Sequence, residues 1–543
     1  MRKIKPQFTA NAMTVLERRY LWKNDYGKAV ETPAQLFERV AIAVARAEKK
    51  DKARWAERFY GLMASRKFLP NSPTLMNAGK ERGQLSACFV LPIEDDLAKI
   101  FETLKQAALI HQSGGGTGFS FSRIRPQGSL VRTSHGVASG PVSFMRIFDV
   151  ATETIKQGGT RRGANMGVLR VDHPDIFEFV EAKRDQKSII NFNISVGATD
   201  EFMRAAREDA RFFLKDPRKD PRISKKTRAV RARELFDRIV QMAWECGDPG
   251  MIFLDRINEA NPTPKEGPIE ATNPCGEQPL LPYESCNLGS MNLVEYLREG
   301  ELAWDKLRED IHLATRFLDN VIDVNRFPIP ESEKITRKNR KIGLGVMGFA
   351  DLLLAMEIPY ESNEALALGE RVMAFLDAEA KRCSSVLARS RGAFPGWKGS
   401  LWQKRGLPPL RNATVSTVAP TGTISIIAGV SSGIEPIFSA SFSHNVLSGE
   451  RLVESRSSNG PAWSPASNVS VEGHIRMQAA FQRHSDSAVS KTINLPKAST
   501  PAEIAKAYFL AHELGCKGIT VYRDQSRKEQ VLVDEAPPAC PDC

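Results

Sequence analysis

The sequence predicts an α/β protein. Helical stretches alternate with short β-branched runs along most of its 543 residues, and the composition, 42% hydrophobic and 26% charged, is that of an ordinary globular chain. A chain of this length accommodates roughly three to four domains, or one large enzyme body with appendages.

From Thr32 to Ala64 the text has helical periodicity (AQLFERVAIAVARAEKK, ARWAERFYGLMA) that breaks at FLPNSPTLMNAG, which predicts a helical N-terminal section over residues 1–68. Beyond it, DDLAKIFETLKQAALIHQ reads as helix and GVLRV, NFNISVGA, ATVSTVAP and GITVYR read as strands, giving an α/β body over 69–525. The segment 526–543, ending VLVDEAPPACPDC, reads as a flexible redox tail. The most apolar stretch, Thr423 to Phe438, is interrupted by glycines, serines, Pro436 and Glu435, and is shorter than the roughly 20 residues of a spanning helix. The N-terminus, MRKIKPQFTANAMTVLERRY, lacks the continuous apolar core of a secretory signal. These readings predict no membrane association and a cytoplasmic location.

The net charge of +12 permits a polyanionic partner. Much of it lies between Lys215 and Arg233 (KDPRKDPRISKKTRAVRAR), where interleaved prolines suggest an exposed connection leading into the helix-like ELFDRIVQMAWE. A solvated loop is the simpler reading, and a nucleic-acid-binding protein is the rival function from another class. The eight cysteines lack the dense spacing of a secreted disulfide scaffold, so reduced thiols with specific tasks are expected. Cys246, Cys383 and Cys516 read as small core hydrophobes. His512 and Cys516 stand one helical turn apart without the second histidine of a zincin motif, and no metal site is expected. Cys540 and Cys543 form a C-x-x-C with no second ligand pair nearby, which fits a redox dithiol better than zinc.

Two glycine-rich segments invite a nucleotide reading, SGGGTGFSFS (Ser113 to Ser122) and KQGGTRRGANMG (Lys156 to Gly167). The first lacks the third glycine of a dinucleotide fingerprint. The second has Ala164 and Asn165 where a P-loop requires Lys and Ser/Thr. Each is as readily a tight turn as an anion cradle, although Arg161 and Arg162 could bond a phosphate or a base. AlaProThrGlyThrIleSer (Ala419 to Ser425) reads as a strand-to-helix turn, either a simple capped turn or a phosphate site. AsnProCysGlyGlu (Asn273 to Glu277) is the most informative segment: Pro274 and Gly276 flank the cysteine and define a loop carrying an amide, a thiol and a carboxylate at alternate positions. In an extended backbone these three would point the same way. A structural loop with an incidental cysteine remains the equal alternative.

These motifs occur in one order: PNSPTLMNAG, LSACF, SGGGTGF, KQGGTRRGANMG, NPCGE, APTGTIS and SKTINLP. Together they resemble the large catalytic chain of ribonucleotide reductases, specifically the adenosylcobalamin-dependent class, over about Pro70 to Arg523. The resemblance implies a ten-stranded α/β barrel of two antiparallel five-stranded halves, with a central finger loop carrying the radical cysteine. By the same resemblance Cys275 is the thiyl radical that takes the ribose 3′ hydrogen, and Asn273 and Glu277 serve the 2′ and 3′ hydroxyls. An amide can orient a sugar without charge and a carboxylate can take a hydroxyl proton. Cys88 and Cys286 match the pair that becomes a disulfide as the 2′ carbon is reduced. Ser72, Ala87, Cys88, Gly116, the Asn273, Pro274, Cys275, Gly276, Glu277 loop, and Pro420, Thr421, Gly422, Thr423 and Ile424 match substrate-holding positions.

The resemblance further implies a deoxynucleoside triphosphate effector near a homodimer interface, acting through Gly128 to Gly140 and through Lys156, Gln157, Gly158, Gly159, Thr160, Arg161 and Arg162. Cys540 and Cys543 would reduce the active-site disulfide and be restored by thioredoxin or a similar reductant. No additional ATP-binding cone is apparent, which argues against overall on/off control. The cobalamin class rests on Val521, which stands where two-subunit, metal-dependent reductases carry the first tyrosine of a Tyr-Tyr relay, and on the absence of glycine after Arg523. The expected reaction is the reduction of ribonucleotides, by preference diphosphates, with adenosylcobalamin as cofactor and without direct contact to nucleic acid. The two-subunit reductase is the nearest rival.

Overall fold

A computed structural model describes the chain except residues 1–3, 82, 131–135, 156–162, 219–227, 448–449, 456–459, 528–531 and 536–543. The described N-terminal section is helical, as the periodicity predicts. Thr32 and Gln35 form a reciprocal capping box and Pro33 opens the helix Pro33–Ala45, whose Leu36, Phe37, Val40 and Val44 are buried on one stripe. The stripe packs on helix Lys52–Ala64 and on the long helix Trp304–Val324, where each fully buried aliphatic side chain contributes roughly 1.5–3 kcal/mol. Glu48 fastens this section to the body, accepting from Arg316 at 2.6 Å and from Arg391 at 2.8 Å.

The body is built on a ten-stranded sheet. In chain order its strands are β1 (Phe68–Pro70), β2 (Cys88–Pro92), β3 (Gly116–Ser120), β4 (Asn165–Arg170), β5 (Phe192–Ala198), β6 (Gly250–Phe253), β7 (Ser285–Asn292), β8 (Ile342–Met347), β9 (Thr492–Leu495) and β10 (Gly518–Arg523). Strands β2 to β6 run parallel, each to the next. In the other half β7 is parallel to β8 and β9 to β10. Residues 414–418 complete this half, bridging in parallel from Leu344 to Ser416 and from Val418 to Val489. The halves meet antiparallel at two seams, β2 with β7 and β6 with β10, so the sheet closes into a barrel. Parallel neighbours require crossovers, and helices supply them: Leu97–Gln112 between β2 and β3, Gly140–Thr154 between β3 and β4, and Pro501–Glu513 between β9 and β10.

The connection between the halves, from β6 to β7, carries a short hairpin, Ala271–Thr272 with Pro279–Leu280, whose turn holds residues 273–278. Glycines in the wall give it room. A Cβ at Gly118 would overlap the Thr272 carbonyl, and one at Gly116 would lie 2.9 Å from Pro274 Cγ. The barrel encloses a finger loop, and the α/β barrel with a helical N-terminal section is the architecture found.

Three local expectations differ. Gly116 to Ser120 of SGGGTGFSFS is strand, and its Gly116 and Gly118 make room where the finger approaches. Part of the tail is ordered pairing: Leu532–Asp534 lies antiparallel to Phe442–His444. The flanks of the basic block form the hairpin Arg211–Leu214 with Arg228–Arg231, while 219–227 lie outside the described residues. No described helix is long and apolar enough to cross a membrane.

Candidate active site

The finger turn gathers the predicted residues by folding back on itself, not by extension. Gly276 adopts φ +81°, which glycine allows without strain. Asn273 closes the turn: its Oδ1 accepts from the Gln278 N–H at 2.9 Å and its carbonyl from the Gly276 N–H at 3.1 Å. Both barrel halves grip the result. Asn193 of β5 donates to the Pro274 carbonyl at 2.8 Å, while Thr417 Oγ1 and the Ala488 N–H donate to the Glu277 carbonyl at 3.0 and 2.9 Å. The expectation that three side chains point one way from extended backbone is therefore replaced by a turn. Asn273 and Glu277 are buried and converge on Cys88, and Cys275 is exposed at the tip.

Cys88 Sγ accepts from Asn273 Nδ2 at 3.1 Å and lies 3.9 Å from Glu277 Oε1. Across the seam, Cys88 is the register partner of Cys286. Directly opposed residues of an antiparallel pair lie roughly 4.5–5.5 Å apart at Cα, within the range a disulfide spans. Both are thiols here. Burial pushes the Cys286 thiol well above its usual range, the Lys341 ammonium offsets part of this, and the Glu284 and Glu277 carboxylates add to it.

A cavity of about 200 Å3 opens above the finger. Of the predicted substrate positions, Ser72, Ala87, Cys88, Gly116, Asn273, Pro274, Cys275 and Glu277 line it, as do Pro420, Thr421, Gly422, Thr423 and Ile424. Gly276 does not; its part is the turn. Ser72 begins the helix Ser72–Asn77 and its Oγ is 2.7 Å from Tyr20 Oη, so the N-terminal section helps place it. Thr421, at φ +54°, accepts from the Gly433 N–H at 2.7 Å and starts the short helix Gly422–Ala428. The chain beyond this helix is held by Glu435, which accepts from Lys491 Nζ and the Thr492 N–H, both at 2.7 Å, giving SKTINLP a structural task.

Sequence reasoning missed Asn71 and Ser290 on the cavity wall. Asn71 Oδ1 caps the Ser72 helix through the Thr74 N–H, but its Nδ2 and Ser290 Oγ are buried without a hydrogen-bond partner among the described residues. The helix-capping signal in PNSPT marks Asn71; nothing local marks Ser290. Lys156, Gln157, Gly158, Gly159, Thr160, Arg161 and Arg162 lie outside the described residues, as do Cys540 and Cys543. Cys246, Cys383 and Cys516 are buried, and burial raises the last two thiols to about 12. His512 bonds Asp200 at 2.8 Å, and no metal-binding cluster occurs among the described residues.

The family description "ribonucleotide reductase, all-alpha domain" matches residues 6–83, and "ribonucleotide reductase, barrel domain" matches 86–409 and 403–522. Proteins named vitamin B12-dependent ribonucleoside-diphosphate reductase from Thermoplasma acidophilum and Mycobacterium tuberculosis are each 47% identical over 97% of this chain, which covers 80% and 81% of their lengths. A ribonucleoside-diphosphate reductase subunit alpha from Chlamydia muridarum is 31% identical over 82% of this chain and 49% of its own length. The helical section, the closed barrel and its thiol-bearing finger coincide with these matched regions, and the chain belongs to the ribonucleotide reductase family.

Proposed function

We propose that this chain reduces ribonucleoside diphosphates to 2′-deoxyribonucleotides through a radical on Cys275, with adenosylcobalamin as the cofactor. The observation that carries the reading is the convergence of Asn273 and Glu277 on Cys88, itself opposed by Cys286, beneath an exposed Cys275. Names of relatives that specify vitamin B12 dependence and diphosphate substrates agree with it.

The cavity is smaller than the roughly 300–1,000 Å3 of typical ligand pockets. It suits the sugar, leaving base and phosphates to the rim, where Thr421 to Ile424 present backbone at the start of a helix. Asn71 Nδ2 and Ser290 Oγ, buried and unpartnered, would be satisfied by a polar ligand. Cys275 takes the 3′ hydrogen atom, Glu277 takes the 3′-hydroxyl proton, and Asn273 orients the sugar. Cys88 donates a proton to the departing 2′ hydroxyl, and Cys88 with Cys286 supplies two electrons by becoming a disulfide. Burial of Asn273 and Glu277 keeps water from these steps.

The residues present fit the cofactor. Cys275 and Gly276 are the least buried points of the finger, so these two residues would stand nearest the bound group. When bound, adenosylcobalamin supplies the one-electron oxidation that removes hydrogen from the Cys275 thiol. Val521 is buried, and the adjoining strand position 522 is the lone tyrosine there.

A homodimer is supported by an exposed apolar stripe: Leu97, Phe101 and Leu109 on one helix, and Ile147 and Val150 on its neighbour Gly140–Thr154. A deoxynucleoside triphosphate effector beside that face would select the substrate base through Lys156 to Arg162. Cys540 and Cys543 would return electrons from thioredoxin or a similar reductant. The deciding experiment is turnover of each ribonucleotide with adenosylcobalamin and a dithiol, with and without each deoxynucleoside triphosphate. Diphosphate turnover that depends on cobalamin is expected; turnover only with a metal-containing second subunit would replace the cobalamin assignment.

A further inference from the structure

A buried ion pair adjoins Cys286 and has no part in the steps above. Glu284 precedes Cys286 by two residues, and Lys341 immediately precedes β8, whose first register pair with β7 is Asn287 with Ile342. Lys341 Nζ lies 2.6 Å from Glu284 Oε2, with side chains 2% and 1% exposed. Cys286 Sγ is 3.6 Å from the Lys341 carbonyl. Glu284 is fully engaged, accepting also from the Leu281 N–H and Asn339 Nδ2, both at 2.7 Å. The ammonium has three donors, and its hydrogen bond among the described residues is the one to Glu284. A buried ion pair stabilises little compared with well-packed apolar groups, so packing alone does not explain it.

We propose that Lys341, held by Glu284, is a positioning residue for regeneration of the enzyme: its ammonium stabilises the Cys286 thiolate expelled when the Cys88–Cys286 disulfide is reduced. The inference rests on the reading of these two cysteines as the reducible pair. Cys88 lines the cavity while Cys286 is fully buried, so a dithiol attacks at Cys88. Its thiolate forms a bond to Cys88 Sγ, the disulfide breaks, and the electron pair leaves on Cys286. Cys286 then takes up the proton that the attacking thiol released. The second thiol of the dithiol displaces Cys88, which is protonated in turn, and the dithiol departs as a disulfide. Two electrons and two protons pass to the pair. Lys341 stands beside Cys286, one step before the first register pair of β7 with β8, and Cys88 lies opposite across the seam; the charges acting on the sulfur are the Lys341 ammonium, which favours its anion, and the Glu284 and Glu277 carboxylates, which oppose it. Of these, only Lys341 is cationic, and a leaving thiol departs faster as its anion is stabilised.

The test uses the full-length protein with cobalamin, oxidised by one turnover, and dithiothreitol as reductant. The double variant Lys341→Met, Glu284→Gln removes both charges together, and Glu284→Gln alone keeps the cation without the carboxylate that opposes the thiolate. The double variant should reduce its disulfide at neutral pH on the order of tenfold more slowly than Glu284→Gln. The equilibrium potential should stay unchanged, because both sulfurs end as neutral thiols. Lys341→Arg, which keeps the charge, should restore most of the rate, and the yield of deoxynucleotide in the first turnover should match the parent. A double variant reduced as fast as Glu284→Gln overturns the inference and leaves the reducible pair standing. Should Lys341→Met, Glu284→Gln fail to fold, the comparison of Lys341→Arg with Lys341→Ala decides: a faster rate in Lys341→Arg, with the parental dependence on pH, supports the charge, and equal rates overturn it. Peptide mapping that finds no Cys88–Cys286 disulfide after turnover overturns the underlying reading instead.

Discussion

Cys88 and Cys286 face each other across the antiparallel seam that joins the two halves of the barrel. Strand register therefore fixes the pair at bridging distance before any substrate arrives, and Asn273 and Glu277 reach it from the finger. Cys286→Ser should bind nucleotide as the parent does, since Cys286 does not line the cavity. Its steady-state turnover with dithiol should fall at least about a hundredfold. Multiple-turnover kinetics with nucleotide binding measured in parallel separates the two effects; parental turnover would remove Cys286 from the reaction.

Glu277 plays two separable parts. Its carbonyl is gripped by Thr417 and Ala488 whatever its side chain, while its carboxylate faces Cys88. Glu277→Gln should therefore keep the finger in place and lose only proton transfer. A fall in kcat of about 10²–10⁴-fold with little change in KM is expected. A change confined to KM would make Glu277 a binding group.

Much of this site was legible in residue types, and less of it in local pattern. NPCGE with Cys88 and Cys286 marked residues that the fold brings together, and their order among other motifs supplied the family. The periodic helices and the β-branched runs of β4, β5 and β10 also follow from the text. What stayed hidden was set by tertiary contact. β3, β7 and β8 are buried on both faces and so lack alternation. Their glycines answer to neighbours distant in sequence: Gly118 to Thr272, Gly289 to the Phe68 ring and Gly345 to the Thr417 carbonyl. Asn273 and Glu277 meet at Cys88 because a turn folds them together, a relation that spacing in an extended chain misstates.

Those glycines lead to a direct test. At Gly118 a methyl group would overlap backbone, which cannot rotate away, so Gly118→Ala must push the finger from β3. A displacement of about 1 Å at a reacting group can cost on the order of 100-fold in rate. Gly118→Ala should lower kcat by about that factor with folding retained. Gly61→Ala, in the helix Lys52–Ala64 and with nothing within 4 Å of the added carbon, should be much milder on the same assay. Equal effects would show that the finger is not seated on Gly118.

His111 carries a pH dependence of stability. It is buried behind β3, with Nε2 2.8 Å from Thr117 Oγ1. Thr117 in turn donates to Asn165 Oδ1 at 2.7 Å, so the ring donates its Nε2–H. Burial lowers its pKa from about 6.5 to about 4, and the nearby Asn165 opposes this only in part. Above pH 6.5 neither folded nor unfolded chain carries the proton. As pH falls from 6.5 towards 4 the unfolded chain takes it up first, and stability is lost across that window. The full loss is about 3 kcal/mol, from the free-energy value of each pKa unit. Urea unfolding at pH 7 and pH 5 should show the parent weakening more than His111→Gln, which has no proton to gain. The two proteins should converge as the pH drops. Parallel curves would mean that His111 titrates normally in the fold, and the acid sensitivity would then belong to other groups.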